Sequence, residues 1–256
     1  MQRDRGVGLL EHTDGGILTM LNRAFGLAVA GLALMTSSLV AQAIVPPRLA
    51  GSLNAIIAQP VGEFNDYVNV GFGVGGNFRV ALDPSGITSL RFDAGYVNYG
   101  RETQEVCLSE TVGCRIVVDL TTTNNIVFGY GGLQIAAPEG PVRPYVNGGL
   151  GYSYFFTESS VEGTSNEEPF ASTTNFDDGT FSWAAGGGLM IPISSGRTPV
   201  SIDLGVRYNH NGEVDYLTRG AIVDNPDGSI DLFPTRSSAH LVTYLIGVSI
   251  AFGPGR

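Results

Sequence analysis

Val68-Asn69-Val70-Gly71-Phe72-Gly73-Val74-Gly75-Gly76-Asn77-Phe78-Arg79-Val80-Ala81-Leu82 is read two residues at a time. The even positions are Val68, Val70, Phe72, Val74, Gly76, Phe78, Val80 and Leu82. The odd positions are Asn69, Gly71, Gly73, Gly75, Asn77, Arg79 and Ala81. One face is greasy and large, the other tiny or polar. A period of two belongs to a β-strand and to no other regular element.

The pattern recurs along the chain. Val200, Ile202, Leu204, Val206 and Tyr208 alternate with Ser201, Asp203, Gly205 and Arg207. Val242, Tyr244, Ile246, Val248, Ile250 and Phe252 stand opposite Thr243, Gly247, Ser249 and Ala251. Phe181, Trp183, Leu189 and Ile191 oppose Ser182, Gly186 and Gly188. Leu90, Phe92 and Tyr96 alternate with Arg91, Asp93 and Gly95. Eight strands are expected, at 48–58, 68–82, 87–99, 115–136, 142–156, 180–193, 199–210 and 239–252. The fourth exceeds one membrane crossing of about 9–11 residues, so part of it is expected to rise above a bilayer. Short turns of suitable residues, such as Asp83-Pro84-Ser85-Gly86, alternate with long connections at 59–67, 100–114, 157–179 and 211–238.

The non-greasy face carries many of the 36 glycines. Glycine exposed to water weakens a strand without return. Inside a narrow barrel it leaves space for a few long polar side chains. The greasy face then meets lipid, where unpaired backbone groups find no water, so the sheet has to close. The expected fold is all-β: a closed eight-stranded antiparallel transmembrane β-barrel. Tyr96, Tyr152, Tyr154, Phe156, Phe181, Trp183 and Tyr208 gather near the long-connection ends, and Phe78, Phe92 and Phe252 near the opposite ends. Two aromatic belts fit two membrane interfaces.

The chain begins with an export pattern. Arg23 precedes an apolar run from Ala24 to Met35, then Ala41-Gln42-Ala43. That is a cleavable signal peptide, read as 20–43, with 1–19 an over-called start and 44–256 the barrel. Cleavage removes Arg3, Arg5 and Arg23 with Asp4, Glu11 and Asp14, so the charge stays at −10. Such a charge speaks against nucleic acid. The destination implied is the bacterial outer membrane, reached through the periplasm.

These features resemble the small OmpA/OmpX/OmpW-type outer-membrane β-barrels over essentially the whole mature chain. The last strand, Leu245 to Phe252, resembles their C-terminal assembly signal, with Gly247, Ile250 and Phe252 at its key positions. Leu245 departs from it, standing where a polar residue is usual, and Gly253 to Arg256 follow the usually terminal aromatic. The resemblance implies outer-membrane lipid, lipopolysaccharide and the outer-membrane assembly machinery as partners, and a monomer as the state.

The inward face holds Arg79, Arg91, Asp93, Arg143, Asp203 and Arg207. Unpaired buried charges cost several kcal/mol, so an interior ion network that plugs the lumen is expected. A selective pore lining is the rival reading. Cys107 and Cys114, with six residues between them in one long connection, are expected to form a disulfide in an oxidising compartment. Two thiols without a nearby His make no metal site, and no cofactor motif is present. Gly71-x-Gly73-x-Gly75 lies on a strand face and is not a nucleotide turn. Most acids lie in the long connections, as a solvated outer surface or a divalent-cation bridge to lipopolysaccharide. Asp224-Asn225-Pro226-Asp227-Gly228 lacks the ligand spacing of a calcium loop.

His210 and His240 sit near strand ends, with Ser237 and Ser238 close to His240. Rim-located lipid A deacylases carry His-x-Ser, whereas here His210 precedes Asn-Gly and His240 precedes Leu-Val. No enzyme is expected. The expected role is structural or interactive, with acidic outer loops. An adhesin or receptor, or a narrow channel for small or hydrophobic solutes, are the alternatives, and a lipid A-modifying rim enzyme ranks below them.

Overall fold

The computed structural model describes residues 48–252, apart from 108–113, 115–116, 164–165, 197 and 226–228. The signal peptide and its cleavage site fall outside the described residues. Strand β1 is Leu49–Pro60, followed by a short helix α1, Phe64–Tyr67. Strands β2, Gly71–Ala81, and β3, Thr88–Cys107, come next. They are followed by β4, Val117–Ala136, β5, Arg143–Gly163, and β6, Asn166–Ser194. Strand β7 is Val200–Asn211. Four short strands, β8 (Glu213–Tyr216), β9 (Ile222–Asp224), β10 (Ile230–Leu232) and β11 (Thr235–Ser238), precede β12, Leu241–Phe252.

Eight strands close into one antiparallel ring in the order β1-β12-β7-β6-β5-β4-β3-β2. The seam joins the first and last strands, from Leu49 opposite Phe252 to Pro60 opposite Leu241. Closure leaves no edge with unpaired backbone. The two ends of the barrel chain and the three tight turns lie at one mouth. Gly86, in the first of these turns, adopts φ +69°, a conformation only glycine takes freely.

In that turn the Asp83 carboxylate accepts hydrogen bonds from the Ser85 hydroxyl, from the Thr88 N–H at 2.6 Å and from the Ile87 N–H at 3.2 Å. The Ser85 bond, then the backbone ones, lower its pKa from 3.8 to about 2. A depressed carboxyl pKa stabilises the fold above the unfolded value and loses that contribution as pH falls from about 4 toward 2. Asp83→Asn should therefore flatten the pH dependence of unfolding in that window, as read by urea titration across it.

The wall is inside out. Leu53 is 78 % exposed, Phe181 85 % and Leu150 75 %, and Phe72, Val74, Val146 and Ile246 are exposed beside them. Soluble monomers rarely show a contiguous apolar patch beyond a few hundred Å²; this one circles the barrel. Leu53→Arg places a charge in the belt and should cost about 2–4 kcal/mol in lipid vesicles if it lies near the bilayer midplane. The same change at an exposed site of a water-soluble barrel would be almost neutral.

Glycine rows on the inner face have a packing cause. At one level Tyr145 of β5 lies opposite Gly188 of β6, and Gly188 opposite Gly205 of β7. A Cβ at Gly188 would lie 2.6 Å from the Tyr145 hydroxyl, and one at Gly205 2.8 Å from it. The two glycines form the slot that a lumenal tyrosine fills.

Three connections differ from the sequence expectation. The spans 100–114 and 157–179 are in large part strand: β3 and β4 remain paired out to Cys107 opposite Val117, and β5 and β6 out to Gly163 opposite Asn166. A four-stranded sheet thus stands above the rest of the wall, its β4–β5 seam running to Val118 opposite Gly163. Hydroxyl pairs hold it, Thr103 with Thr121 at 3.0 Å and Thr122 with Ser159 at 2.8 Å. Cross-strand pairs of this kind stabilise sheets without burial. Within the span 211–238, β8 pairs with β11 and β9 with β10.

Candidate functional site

The lumen is filled at two levels of different chemistry. Nearer the tight-turn mouth lies a polar network. The Asp93 carboxylate accepts from Arg91 Nε at 2.9 and 3.0 Å, from Arg91 Nη2 at 2.8 Å and from Arg207 Nη1 at 2.9 Å. Arg91 also donates to Gln134 Oε1 at 2.6 Å. Asp203 accepts from the Tyr145 hydroxyl at 2.7 Å. Arg207 stacks over the Tyr130 ring, 4.8 Å from its centroid, and Arg91 approaches Tyr145 at 5.8 Å. Arg91 is 2 % exposed and Arg207 4 %. At such depth a charge survives only when paired and hydrogen-bonded.

The structure brings Arg91, Asp93 and Arg207 into direct contact and holds Asp203 through Tyr145. Arg79 is buried near them and touches only neutral groups, Met190, Ser52 and Ser249. Arg143 has to be removed from the network. It stands half-buried at the tight-turn mouth, its Nε donating to the Ala137 carbonyl at 2.8 Å. Strand parity fixes the face a residue shows but not its depth, and Arg143 is the first residue of β5. Gln134, Tyr145 and Tyr130 escape a sequence reading because they carry no formal charge. The glycines facing Tyr145 are the available signal.

The second level is apolar. Phe64 of α1 is fully buried. Its ring meets Tyr216 at 5.0 Å, Tyr99 at 5.7 Å and Phe155 at 6.1 Å. Ile56, Val97, Ile126 and Leu245 belong to the same cluster. Helix α1 and hairpin β8–β11 thus fold in over the long-connection mouth and stopper it. Leu245, where the expected assembly signal would carry a polar residue, packs into this apolar part of the lumen.

Above the stopper, against the raised sheet, lies a cavity of about 620 Å³ whose lining includes Tyr67, Gln104, Thr122, Asn124, Asn175 and Arg219. This is within the range of small-molecule sites. Arg219 and Glu102 make an ion pair at 3.7 Å there. Cys107, the last residue of β3, forms a disulfide with Cys114.

At the rim, His210 stacks on Trp183 at 5.1 Å and on His240 at 4.2 Å. Ser237 is hydrogen-bonded to the Tyr216 hydroxyl at 2.8 Å, and the Ser238 N–H to Glu63 at 3.3 Å. No Ser–His pair forms among the described residues. Of the residues expected to form an assembly signal, Phe252 is exposed on the outer wall. A Cβ at Gly247 would run into the Leu53 carbonyl, so that position is also fixed by the barrel seam. Among the described residues no His/Cys/Asp/Glu group could hold a metal. Glu110, Glu167, Glu168, Asp224 and Asp227 are acids whose side chains lie outside the described set.

A closed antiparallel ring with an apolar outer girdle and a filled polar-to-apolar interior defines a small transmembrane β-barrel. Similar solved structures are bacterial outer-membrane proteins. Neisserial surface protein A is 15% identical, with 80% of this chain and 97% of that chain covered and a TM-score of 0.38. The Yersinia pestis attachment invasion locus protein is 12% identical, with 81% and 99% covered and a TM-score of 0.39. A major outer membrane protein of Thermus thermophilus is 12% identical, with 80% and 99% covered and a TM-score of 0.43. No protein-family model matches the chain, and no curated protein matches it.

Proposed function

We propose that this is a non-conducting outer-membrane barrel that holds a raised, disulfide-tied sheet and its cavity on the outer side for contact with an external partner. The observation that carries the reading is the double closure of the lumen, by the Arg91–Asp93–Arg207 network and by the Phe64 stopper. Eight strands leave little internal space beyond that used by side chains. Export through the periplasm, assembly through the last strand and contact with lipopolysaccharide belong to the same reading. The experiment is planar-bilayer recording of the purified barrel. Sparse, unstable events are expected, and a large stable conductance would replace the plug with a channel.

An adhesin or receptor role is favoured by one feature. The raised sheet keeps strand pairing well above the wall, with hydroxyl and amide side chains around a cavity, where a purely structural barrel needs only short loops. Deleting 102–106 together with 118–122, which removes paired segments of equal length, should leave the barrel folded. If attachment to an external surface is lost at the same time, the sheet is the contact element.

A further inference from the structure

Arg79 is the one buried guanidinium of the lumen with no carboxylate in contact among the described residues. It is 6 % exposed. One terminal nitrogen lies 2.9 Å from the Met190 sulfur, and the other donates to the Ser52 and Ser249 hydroxyls. Its Nε has no partner. Asp93 is bonded to Arg91 and Arg207, while Asp203 accepts from Tyr145 and favours the Arg79 charge without a bond to it. Three buried guanidiniums, Arg79, Arg91 and Arg207, thus share two buried carboxylates, and a buried cation with only neutral groups in contact is incompletely solvated.

Beside Arg79 the tight-turn mouth holds an open cavity of about 100 Å³. Arg48, Arg79 and Arg143 all line it, with Ser201, Ser249 and Gln134, and no Asp or Glu is among its described lining residues. A water needs only about 10–15 Å³ of such space, so the cavity has space for something larger than a single water. It is well short of the roughly 300 Å³ at which pockets for drug-sized molecules begin. Three arginines line this small space, and arginine forks offer paired N–H donors to a tetrahedral oxyanion.

We propose that the tight-turn mouth is an oxyanion site that takes a phosphate group, held by Arg79, Arg143 and Arg48. The phosphate is either a free ion or the headgroup of a lipid in the adjoining leaflet. Bound there, it supplies Arg79 with the anionic contact that the ion network does not give it, in competition with Glu139 for Arg143. The site is independent of the outer cavity and of the conductance reading.

The test is calorimetric titration of the folded mature barrel in maltoside micelles, which carry no phosphate, with inorganic phosphate, and with chloride as a monatomic comparison. Saturable phosphate binding is expected. Arg79→Gln, Arg143→Gln and Arg48→Gln should each weaken it about tenfold or more, as loss of a charge-assisted hydrogen bond implies. Arg236→Gln, at the opposite end, should not. Arg79→Gln is buried and can disturb folding, so the rim variants Arg143→Gln and Arg48→Gln keep the test decisive. Doping the micelles with phosphatidylglycerol, against a phosphate-free glycolipid, separates the two sources. Competition by the phospholipid alone marks a headgroup site, and none marks a free ion. Absence of saturable phosphate binding, or affinity unchanged in all three variants, would overturn the proposal.

Discussion

Asp93→Asn should lower barrel stability by about 3–5 kcal/mol, the loss typical when one partner of a buried ion group is removed. The Asp93 carboxylate faces two guanidiniums at once, Arg91 and Arg207, at 2.8 and 2.9 Å. Asparagine keeps the shape but removes the charge, and it presents its amide donors to groups that are themselves donors. Three buried arginines would then face Asp203 alone. Combining Asp93→Asn with Arg207→Met should cost less than the sum of the two changes, because the second removes the cation the first strands. Urea unfolding in lipid vesicles, followed by tryptophan fluorescence, reads both values. Equal and additive small losses would mean that the network contributes no mutual support.

Phe64→Ala should cost a similar amount, about 3–5 kcal/mol, by a different cause. The ring is fully buried and surrounded by Tyr99, Phe155 and Tyr216. Its removal forfeits the burial and leaves a cavity that rigid strands cannot collapse around. The prediction has a second readout. If α1 is the stopper, the variant should admit a water-soluble thiol reagent to a cysteine placed at Val97, while the parent bearing the same cysteine stays protected. A loss well below that range, with unchanged protection, would mean that the helix rests on the barrel without sealing it.

The fold is legible in the sequence because alternation is local. Phe72, Val74 and Phe78 against Gly73, Gly75, Asn77 and Arg79 fix which face points where, and the tight turns fix the neighbours. The position of each residue along the barrel axis is a different matter. It depends on the stagger between strands, which no single strand encodes, and Arg143 leaves the expected network for that reason. The raised sheet is legible in β4, whose length exceeds a crossing, while the rise of β3, β5 and β6 is hidden by a length rule. A crossing needs about 9–11 residues, so Thr121-Thr122-Thr123 and Ser159-Ser160-Val161 read at least partly as what lies beyond the membrane, although they suit paired strands. The stopper is invisible for a third reason. Phe64 lies in a four-residue helix within a connection, and its burial follows from where distant Tyr99, Phe155 and Tyr216 are brought by the ring.

The inner network is legible in its ions and not in its neutral members. Tyr145 reaches Asp203 only because Gly188 and Gly205 occupy the two neighbouring strands at its level. That coincidence emerges once registers are known.

The chain carries a single tryptophan, and Trp183 faces outward in the belt beside the long-connection mouth, ringed by Tyr208 and His210. It reports on the wall without any substitution. With the barrel reconstituted in vesicles of brominated lipid, the emission of Trp183 should be quenched strongly by bromines placed near the headgroups, less by those near the chain ends, and weakly by aqueous iodide. Strong iodide quenching with no effect of either brominated lipid would show that this wall faces water, contradicting the inside-out barrel.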